Sequence, residues 1–297
     1  MERVSAVRGG IWYGLRETAE MIKLQHTVFA LPFAVISLVT ASGAGWPAPR
    51  TWLWVIVAMV GARTAAMAFN RLVDQDIDAA NPRTANRALP AGRLSRAFVW
   101  TVTVAAAAVF VAAAAQLNRL CFLLSPVVLA VLLGYSLSKR VTAFAHLWLG
   151  LALGIAPVGA WLAVTGRFAS PPLVLAAAVL LWVAGFDVIY SLQDEAFDRD
   201  HGLHSLPAGV GVRRALAAAR IFHLLAFAGF AAFALLAGGG PLRLAAVGLA
   251  GGLLAWQHRV VKPDDLSRVN AAFFTANGIL SIAMCALFLF AKMPTVP

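Results

Sequence analysis

The acidic residues of this chain are few, and most of them stand together. Thirteen Asp and Glu occur in 297 residues. Eight of these fall in two short segments: Asp74, Asp76 and Asp78, then Asp187, Asp194, Glu195, Asp198 and Asp200. The first segment reads Asn70-Arg71-Leu72-Val73-Asp74-Gln75-Asp76-Ile77-Asp78. The second reads Asp187-Val188-Ile189-Tyr190-Ser191-Leu192-Gln193-Asp194-Glu195-Ala196-Phe197-Asp198. Asp74 and Asp78 are four apart, as are Asp194 and Asp198, and Asp187 precedes Asp194 by seven. On a helix this spacing puts the carboxylates on one face, with neighbours about 5–6 Å apart. Like charges at that separation repel, so the pattern calls for a neutralising partner. Mg2+ suits carboxylate oxygens and usually binds through one or two of them together with phosphate groups. Two facing helices, each with such a pair, can clamp a diphosphate between metal ions. Asp76, Glu195 and Asp200 lie off the shared face and read as solvated.

The elements that position these acids follow from composition. Hydrophobic residues make up 61% of the chain and charged residues 12%, about half the charged share of a soluble domain. Some 20 apolar residues span a bilayer core of about 30 Å. Nine apolar stretches lie near 26–43, 52–72, 97–116, 119–138, 143–165, 171–190, 215–237, 241–257 and 270–291. They show no period-2 alternation, so they read as helices and not as barrel strands. The expectation is an all-α polytopic membrane protein, a single domain over residues 1–297, with about nine transmembrane helices in one bundle. Cys121 and Cys285 fall inside predicted helices and read as small buried apolar residues. Residues 1–25 are mixed and charged, unlike a cleavable signal peptide.

The net charge of +11 reports topology and not nucleic-acid binding, because Lys and Arg fall in alternate loops. The N-terminal arm carries Arg3, Arg8, Arg16 and Lys23, and the second loop Arg83, Arg87, Arg93 and Arg96. Lys139, Arg140, Arg199, Arg213, Arg214, Arg259, Lys262 and Arg268 fall on the same side. Arg50, Arg119, Arg167, Arg243 and Lys292 fall on the other. The positive-inside rule then puts the N-terminus and both acidic segments at the cytoplasmic face; the expected location is a prokaryotic cytoplasmic (inner) membrane. A carboxylate within the membrane costs roughly 2.5–3.5 kcal/mol on insertion scales, so acids gathered at helix ends there are functional candidates.

A diphosphate also needs cations. Arg71 adjoins the first acidic segment, and Arg83 and Arg87 follow it. Tyr135-Ser136-Leu137-Ser138-Lys139-Arg140 lies in the next loop on the same side. Arg offers a fork matching phosphate oxygens and Lys a point charge. Leu-Pro-Ala-Gly recurs after each acidic segment, at 89–92 and 206–209, as a parallel duplication would leave it.

These motifs resemble those of the UbiA superfamily of intramembrane prenyltransferases. Asn70, Arg71, Asp74 and Asp78 match its Asn-Arg-x-x-Asp-x-x-x-Asp motif. Asp187, Tyr190, Asp194 and Asp198 match Asp-x-x-Tyr-x-x-x-Asp-x-x-x-Asp. Tyr135, Ser136, Lys139 and Arg140 match Tyr-Ser-x-x-Lys-Arg. Ala88 departs from the family, many members of which have Pro there. The resemblance implies a polytopic bundle around a central cavity, with Mg2+ at Asp74, Asp78, Asp194 and Asp198. It places a polyprenyl diphosphate against Arg71, Arg83, Arg87, Tyr135, Lys139 and Arg140. Asp187, Asn70 and Tyr190 become the catalytic candidates, for orienting the acceptor or taking its proton. The segment Ile22–Ala34 is similar to the 4-hydroxybenzoate polyprenyltransferase branch, which includes members serving menaquinone synthesis. A small aromatic acid, 4-hydroxybenzoate or 1,4-dihydroxy-6-naphthoate, is then the expected acceptor. Lys23, His26 and Arg63 are the candidates to meet it, with Arg71 a further cation for its carboxylate. Pro32 is read as a helix kink. Haem, chlorophyllide and glycerol phosphate lipids are the alternative acceptors, and a cation-coupled transporter is the rival class. The Asp-Gly-x-x-Ala-Arg core of CDP-alcohol phosphotransferases is absent.

Overall fold

A computed structural model describes residues 17–18 and 29–292. Within the described residues all nine apolar stretches form helices, and there is no β-strand beyond an isolated bridge between Lys262 and Asp265. The long helices are α1 (Leu31–Ala41), α2 (Pro49–Val73), α4 (Arg96–Leu117), α5 (Arg119–Ser138), α6 (Ala145–Thr165) and α7 (Ser170–Ser191). They continue with α10 (Val212–Leu236), α11 (Pro241–Val260) and α12 (Asn277–Phe290). Three short helices sit at one end of the bundle: α3 (Gln75–Ala80), α8 (Glu195–Asp200) and α9 (Leu206–Val210).

Seven of the described helical segments are long and apolar enough to cross a membrane. α1, at eleven described residues, is shorter. α11 has the length, but Arg243, Gln257 and His258 lower its mean hydropathy. Pro32 does not kink α1: it stands in the first turn, where a missing N–H costs no helical hydrogen bond. Pro also opens α2, α7 and α11. Ser95 and Asn118 cap α4 and α5 by accepting from the N–H of Phe98 and Cys121. Cys121 and Cys285 are free and only half-buried, not buried as expected, and Cys121 lines the central cavity.

α7, with its continuation to Asp200, is the most enclosed span: 56% of it is buried, against 17% for α5. It packs between α6 and α10, while α2 packs on α4, and α1 on α6. Small residues make these approaches close. A Cβ on Gly61 of α2 would come within 3.0 Å of the Ala106 carbonyl oxygen and the Phe110 nitrogen of α4. On Gly150 of α6 it would meet the Leu180 carbonyl oxygen of α7 at 2.3 Å. Around Trp182 of α7 an aromatic core gathers Phe29, Phe33, Phe186, Phe230 and Phe273.

Polar side chains lock that core by bonding to one another. The Trp182 indole N–H and the Gln257 amide both donate to Asn277 Oδ1, each at 2.9 Å. Asn277 Nδ2 in turn donates to the carbonyls of Ala272 and Phe273, which lie in a wide π-helical turn, Ala271–Ala276. That turn presents Phe273 to Tyr190, with ring centroids 4.2 Å apart.

Gly150→Ala forces two backbones apart, and overpacking of this kind costs about 1–3 kcal/mol. The variant is expected to melt several degrees lower in detergent. Gly252→Ala, whose Cβ meets nothing within 4 Å, is expected to melt at or above the parent temperature.

Candidate active site

Each acidic segment breaks its helix at its first metal-candidate aspartate. α2 ends at Asp74 (φ −88°, ψ 5°), which also opens α3. α7 ends at Ser191 and passes through one 3-10 turn, Leu192–Asp194; Asp194 (φ −104°, ψ 5°) then opens α8. The continuous helical face expected from the spacing is therefore replaced by two matching breaks. Both aspartates take the sparsely populated bridge conformation found often at active sites. One helical turn still carries Asp78 back to Asp74, its N–H donating to the Asp74 carbonyl at 2.7 Å. Asp78, Asp194 and Asp198 are buried while Asp76 and Asp200 are exposed, as the spacing predicts. Glu195 pairs with Arg199 on the outer side of α8, away from the site.

The two breaks meet through side chains that cross between loops. Arg83, which follows the first segment, grips Asp194 of the second with Nε at 3.0 Å and Nη2 at 2.6 Å. Asn81 adds a contact to Asp194 at 3.4 Å, and Arg83 Nη1 donates to the Tyr190 hydroxyl at 3.2 Å. Arg87 Nη1 lies 2.6 and 2.7 Å from the two oxygens of Asp78, and buried Arg71 approaches Asp78 at 3.3 Å. Asn70 Nδ2 donates to Asp74 at 2.8 Å. Arg140 reaches over from the α5–α6 loop, donating to the Val73 carbonyl at 2.5 Å with Asp74 3.9 Å away.

Charge is not balanced evenly. The Asp74 carboxyl is pushed above its ordinary range, first by burial and then by the charge of Asp78, although Arg71, Lys139 and Arg140 pull it down. Burial also works against the Arg83 cation, but the hydrogen bonds and charge of Asp194 outweigh it, and its pKa is held above the ordinary value. The closest cation to Asp74 is Arg140 at 3.9 Å, whereas Asp194 is held by Arg83 at 2.6 Å.

Below this rim the bundle encloses a cavity of about 480 Å³. Its mouth is lined by Asn70, Arg71, Asp74, Asp78, Arg83, Arg87, Tyr135, Lys139, Arg140, Asp187, Tyr190, Asp194 and Asp198. Its depth is apolar, with Val55, Met59, Leu132, Leu149 and Leu153, and Arg63 is the cation placed among them. The structure therefore brings together every candidate that falls on described residues. Lys23 and His26 lie outside the described residues.

Among the described residues no three His, Cys, Asp or Glu converge closely enough to hold an ion as they stand. Asp78 and Asp194 are engaged with arginines. Asp198, however, is 3% exposed and its Oδ2 has no hydrogen-bond partner. An orphaned buried carboxylate oxygen and an all-oxygen donor set lining one mouth fit Mg2+.

Sequence reasoning missed four contributors. Asn81 bonds Asp194, Thr84 ties the loop to the Asp78 carbonyl at 3.0 Å, and Phe273 backs Tyr190. The fourth is His146, fully enclosed, with Nδ1 2.6 Å from Asp187 Oδ2. Its one sequence signal is a His placed among apolar residues just after the Lys139-Arg140 loop.

Residues 30–279 match the UbiA prenyltransferase family. The chain is 32% identical over 260 residues to a protoheme IX farnesyltransferase of Thermofilum pendens, covering 82% of this chain and 90% of that protein. It is 28% identical over 235 residues to a 4-hydroxybenzoate octaprenyltransferase of Nitrosospira multiformis, covering 79% and 81%. Among solved structures, an apo UbiA homologue from Aeropyrum pernix K1 superposes with a TM-score of 0.82 at 36% identity, over 90% of this chain and 98% of that one. A UbiA homologue from Archaeoglobus fulgidus, bound to GPP and Mg2+, shares the fold with a TM-score of 0.75 at 19% identity, over 93% and 99%. The chain belongs to the UbiA prenyltransferase family, a group of membrane-embedded transferases.

The ion pair between the loops has a measurable worth. Arg83 is 36% exposed and Asp194 10%, so solvent screens the pair in part, and a coupling of about 1–2 kcal/mol is expected. Arg83→Ala is expected to lower the melting temperature in chelator-containing buffer. Arg83→Ala with Asp194→Asn is expected to recover part of that loss, since the stranded charge goes with its partner.

Proposed function

We propose that this chain moves a polyprenyl group from its diphosphate to a ring carbon of a small aromatic acid, 4-hydroxybenzoate or 1,4-dihydroxy-6-naphthoate, in quinone synthesis. The observation that carries this reading is the division of one cavity. A rim of carboxylates and arginines stands over an apolar chamber, and the chamber holds Arg63 deep inside. The rim suits a diphosphate, the chamber a prenyl chain and an aromatic ring, and Arg63 a carboxylate.

Asp74, Asp78, Asp194 and Asp198 are the residues that would hold Mg2+, which would supply positive charge to stabilise the leaving diphosphate. That relatives have been seen with GPP and Mg2+ supports the assignment. Lys139, Arg140, Arg87, Arg83 and Arg71 stabilise the charge that grows on the leaving diphosphate, and Tyr135 lines the same mouth. The allylic C–O bond breaks with its electron pair leaving on the diphosphate oxygen. The electron-rich ring carbon then bonds to the allylic carbon. Asp187, on the cavity wall, takes the ring proton and restores aromaticity. Asn70 orients the rim through Asp74, and Tyr190 faces the reacting end between Arg83 and Phe273. The apolar walls keep out water that would capture the allylic cation as an alcohol. With about sixteen cations on one side and five on the other, the site opens to the cytoplasm and the N-terminus lies there too.

Transfer to haem is the second reading, favoured by the identity to the farnesyltransferase. The purified chain, given Mg2+ and geranyl diphosphate, separates the two. A panel of 4-hydroxybenzoate, 1,4-dihydroxy-6-naphthoate, haem and a glycerol phosphate lipid is read by product mass and diphosphate release. A prenylated aromatic acid is expected; prenylated haem alone overturns the acceptor assignment. Asp74→Ala and Asp194→Ala are each expected to abolish transfer with membrane insertion intact, and near-normal turnover in either sinks the metal assignment. Lys139→Ala is expected to raise KM for the prenyl diphosphate with little change in KM for the acceptor.

A further inference from the structure

Asp187 has a buried partner, His146, to which the chemistry above gives no role. His146 begins α6, 2% exposed, and Asp187 stands near the end of α7, facing the cavity. His146 Nδ1 lies 2.6 Å from Asp187 Oδ2. The other ring nitrogen is also engaged: the backbone N–H of Leu206 points at His146 Nε2 from 3.2 Å. A backbone N–H can only donate, so Nε2 must be the bare acceptor nitrogen. The ring proton then sits on Nδ1 and is donated to Asp187. An imidazolium at this place would set two donors against each other at Nε2. The contacts therefore define a neutral imidazole in one tautomer and a carboxylate that keeps its charge.

The loop that makes this choice is itself held in place. Ser205, 1% exposed, accepts from the Ala208 N–H and opens α9, whose first residue is Leu206. One residue earlier, His204 N–H donates to the Lys139 carbonyl at 2.8 Å. Three consecutive residues, His204, Ser205 and Leu206, thus tie the loop that carries Lys139 to the ring that holds Asp187.

We propose that His146 is a positioning residue for Asp187. Fixed as the Nδ1-protonated neutral tautomer by Leu206, it holds one carboxylate oxygen and leaves the other aimed into the cavity to accept the acceptor's proton. This rests on the reading that Asp187 is the proton acceptor. The neutral ring matters because the pair then carries one negative charge. A protonated ring would cancel that charge and leave a weak base. The arrangement also links the diphosphate loop and the proton-accepting group through one short backbone segment.

Two substitutions divide the ring's two bonds. The amide nitrogen of His146→Asn occupies the Nδ1 position and can still donate to Asp187. The amide of His146→Gln reaches the Nε2 position and can serve Leu206 but not Asp187. With the full chain in detergent, Mg2+, geranyl diphosphate and the acceptor the parent uses, His146→Asn is expected to keep kcat within about threefold. His146→Gln is expected to lose about thirtyfold, part of the 10²–10⁴ a general base contributes. KM for the diphosphate is expected to move less than about twofold in both. Equal losses in the two variants, or no loss in His146→Gln, overturn the proposal. Asp187→Asn separates the two levels of the argument: if it turns over normally, the proton-acceptor reading itself fails. If it is dead while His146→Gln is unimpaired, only the role of His146 fails. An arm independent of turnover uses 15N-histidine labelling, with the His146 signals identified by their loss in His146→Asn. A protonated Nδ1 beside a bare Nε2 is expected; a doubly protonated ring or the opposite tautomer overturns the assignment.

Discussion

Carboxylates at the edge of a bilayer must be neutralised, and the way this chain does it organises everything around them. Asp78 and Asp194 are both buried, and each is met by an arginine, Arg87 within the first loop and Arg83 across to the second. An unpaired charge in such surroundings costs several kcal/mol, whereas a pair with good geometry costs far less. Because Arg83 belongs to the loop after α2 and Asp194 to the end of α7, the electrostatic requirement doubles as a structural clasp. It closes the bundle over the cavity at one end. On the proposed function these arginines are also the cations that receive the diphosphate.

Much of this was legible in the sequence. The apolar stretches became helices within a few residues, since nothing else satisfies a backbone in lipid. Of the acids the spacing singled out, Asp78, Asp194 and Asp198 are buried and Asp74 and Asp187 half-buried, while Asp76 and Asp200 are exposed. What could not be read was how the helices end. A spacing of four is compatible with a continuous helix and with a helix broken at its first member, and local pattern does not separate them. At both breaks the aspartate meets a cation from elsewhere in the chain, Asp74 with Arg140 at 3.9 Å and Asp194 with Arg83 at 2.6 Å. His146 was illegible for the same reason: its partners lie 41 and 60 residues away. Trp182 and Asn277, 95 residues apart, pair on the same terms.

The recurring Leu-Pro-Ala-Gly shows what a repeat can and cannot say. After the first break it forms a turn that ends on Gly92 in the left-handed region (φ 69°). After the second, the same four residues start α9, capped by Ser205. The tetrapeptide thus takes two conformations. What is shared by the two halves is the aspartate that ends a long helix with nearly the same backbone angles and begins a six-residue one. The likeness lies in helix termination, which places carbonyls and carboxylates together at a rim, and short sequence identity marks it only indirectly.

The division between rim and chamber then explains why the polar network deep in the bundle is worth its desolvation. Asn277 meets Trp182, Gln257 and two carbonyls of the π-turn, so that turn is held open among buried residues. Its product is the placement of Phe273 against Tyr190, which in turn stands under Arg83. A stack of Phe273, Tyr190 and Arg83 therefore runs from the aromatic core to the charged rim. It transmits the rigidity of the core to the arginine that clasps Asp194. The rim can be charged because it is held, and it is held by packing that begins among apolar residues well inside the membrane-spanning helices.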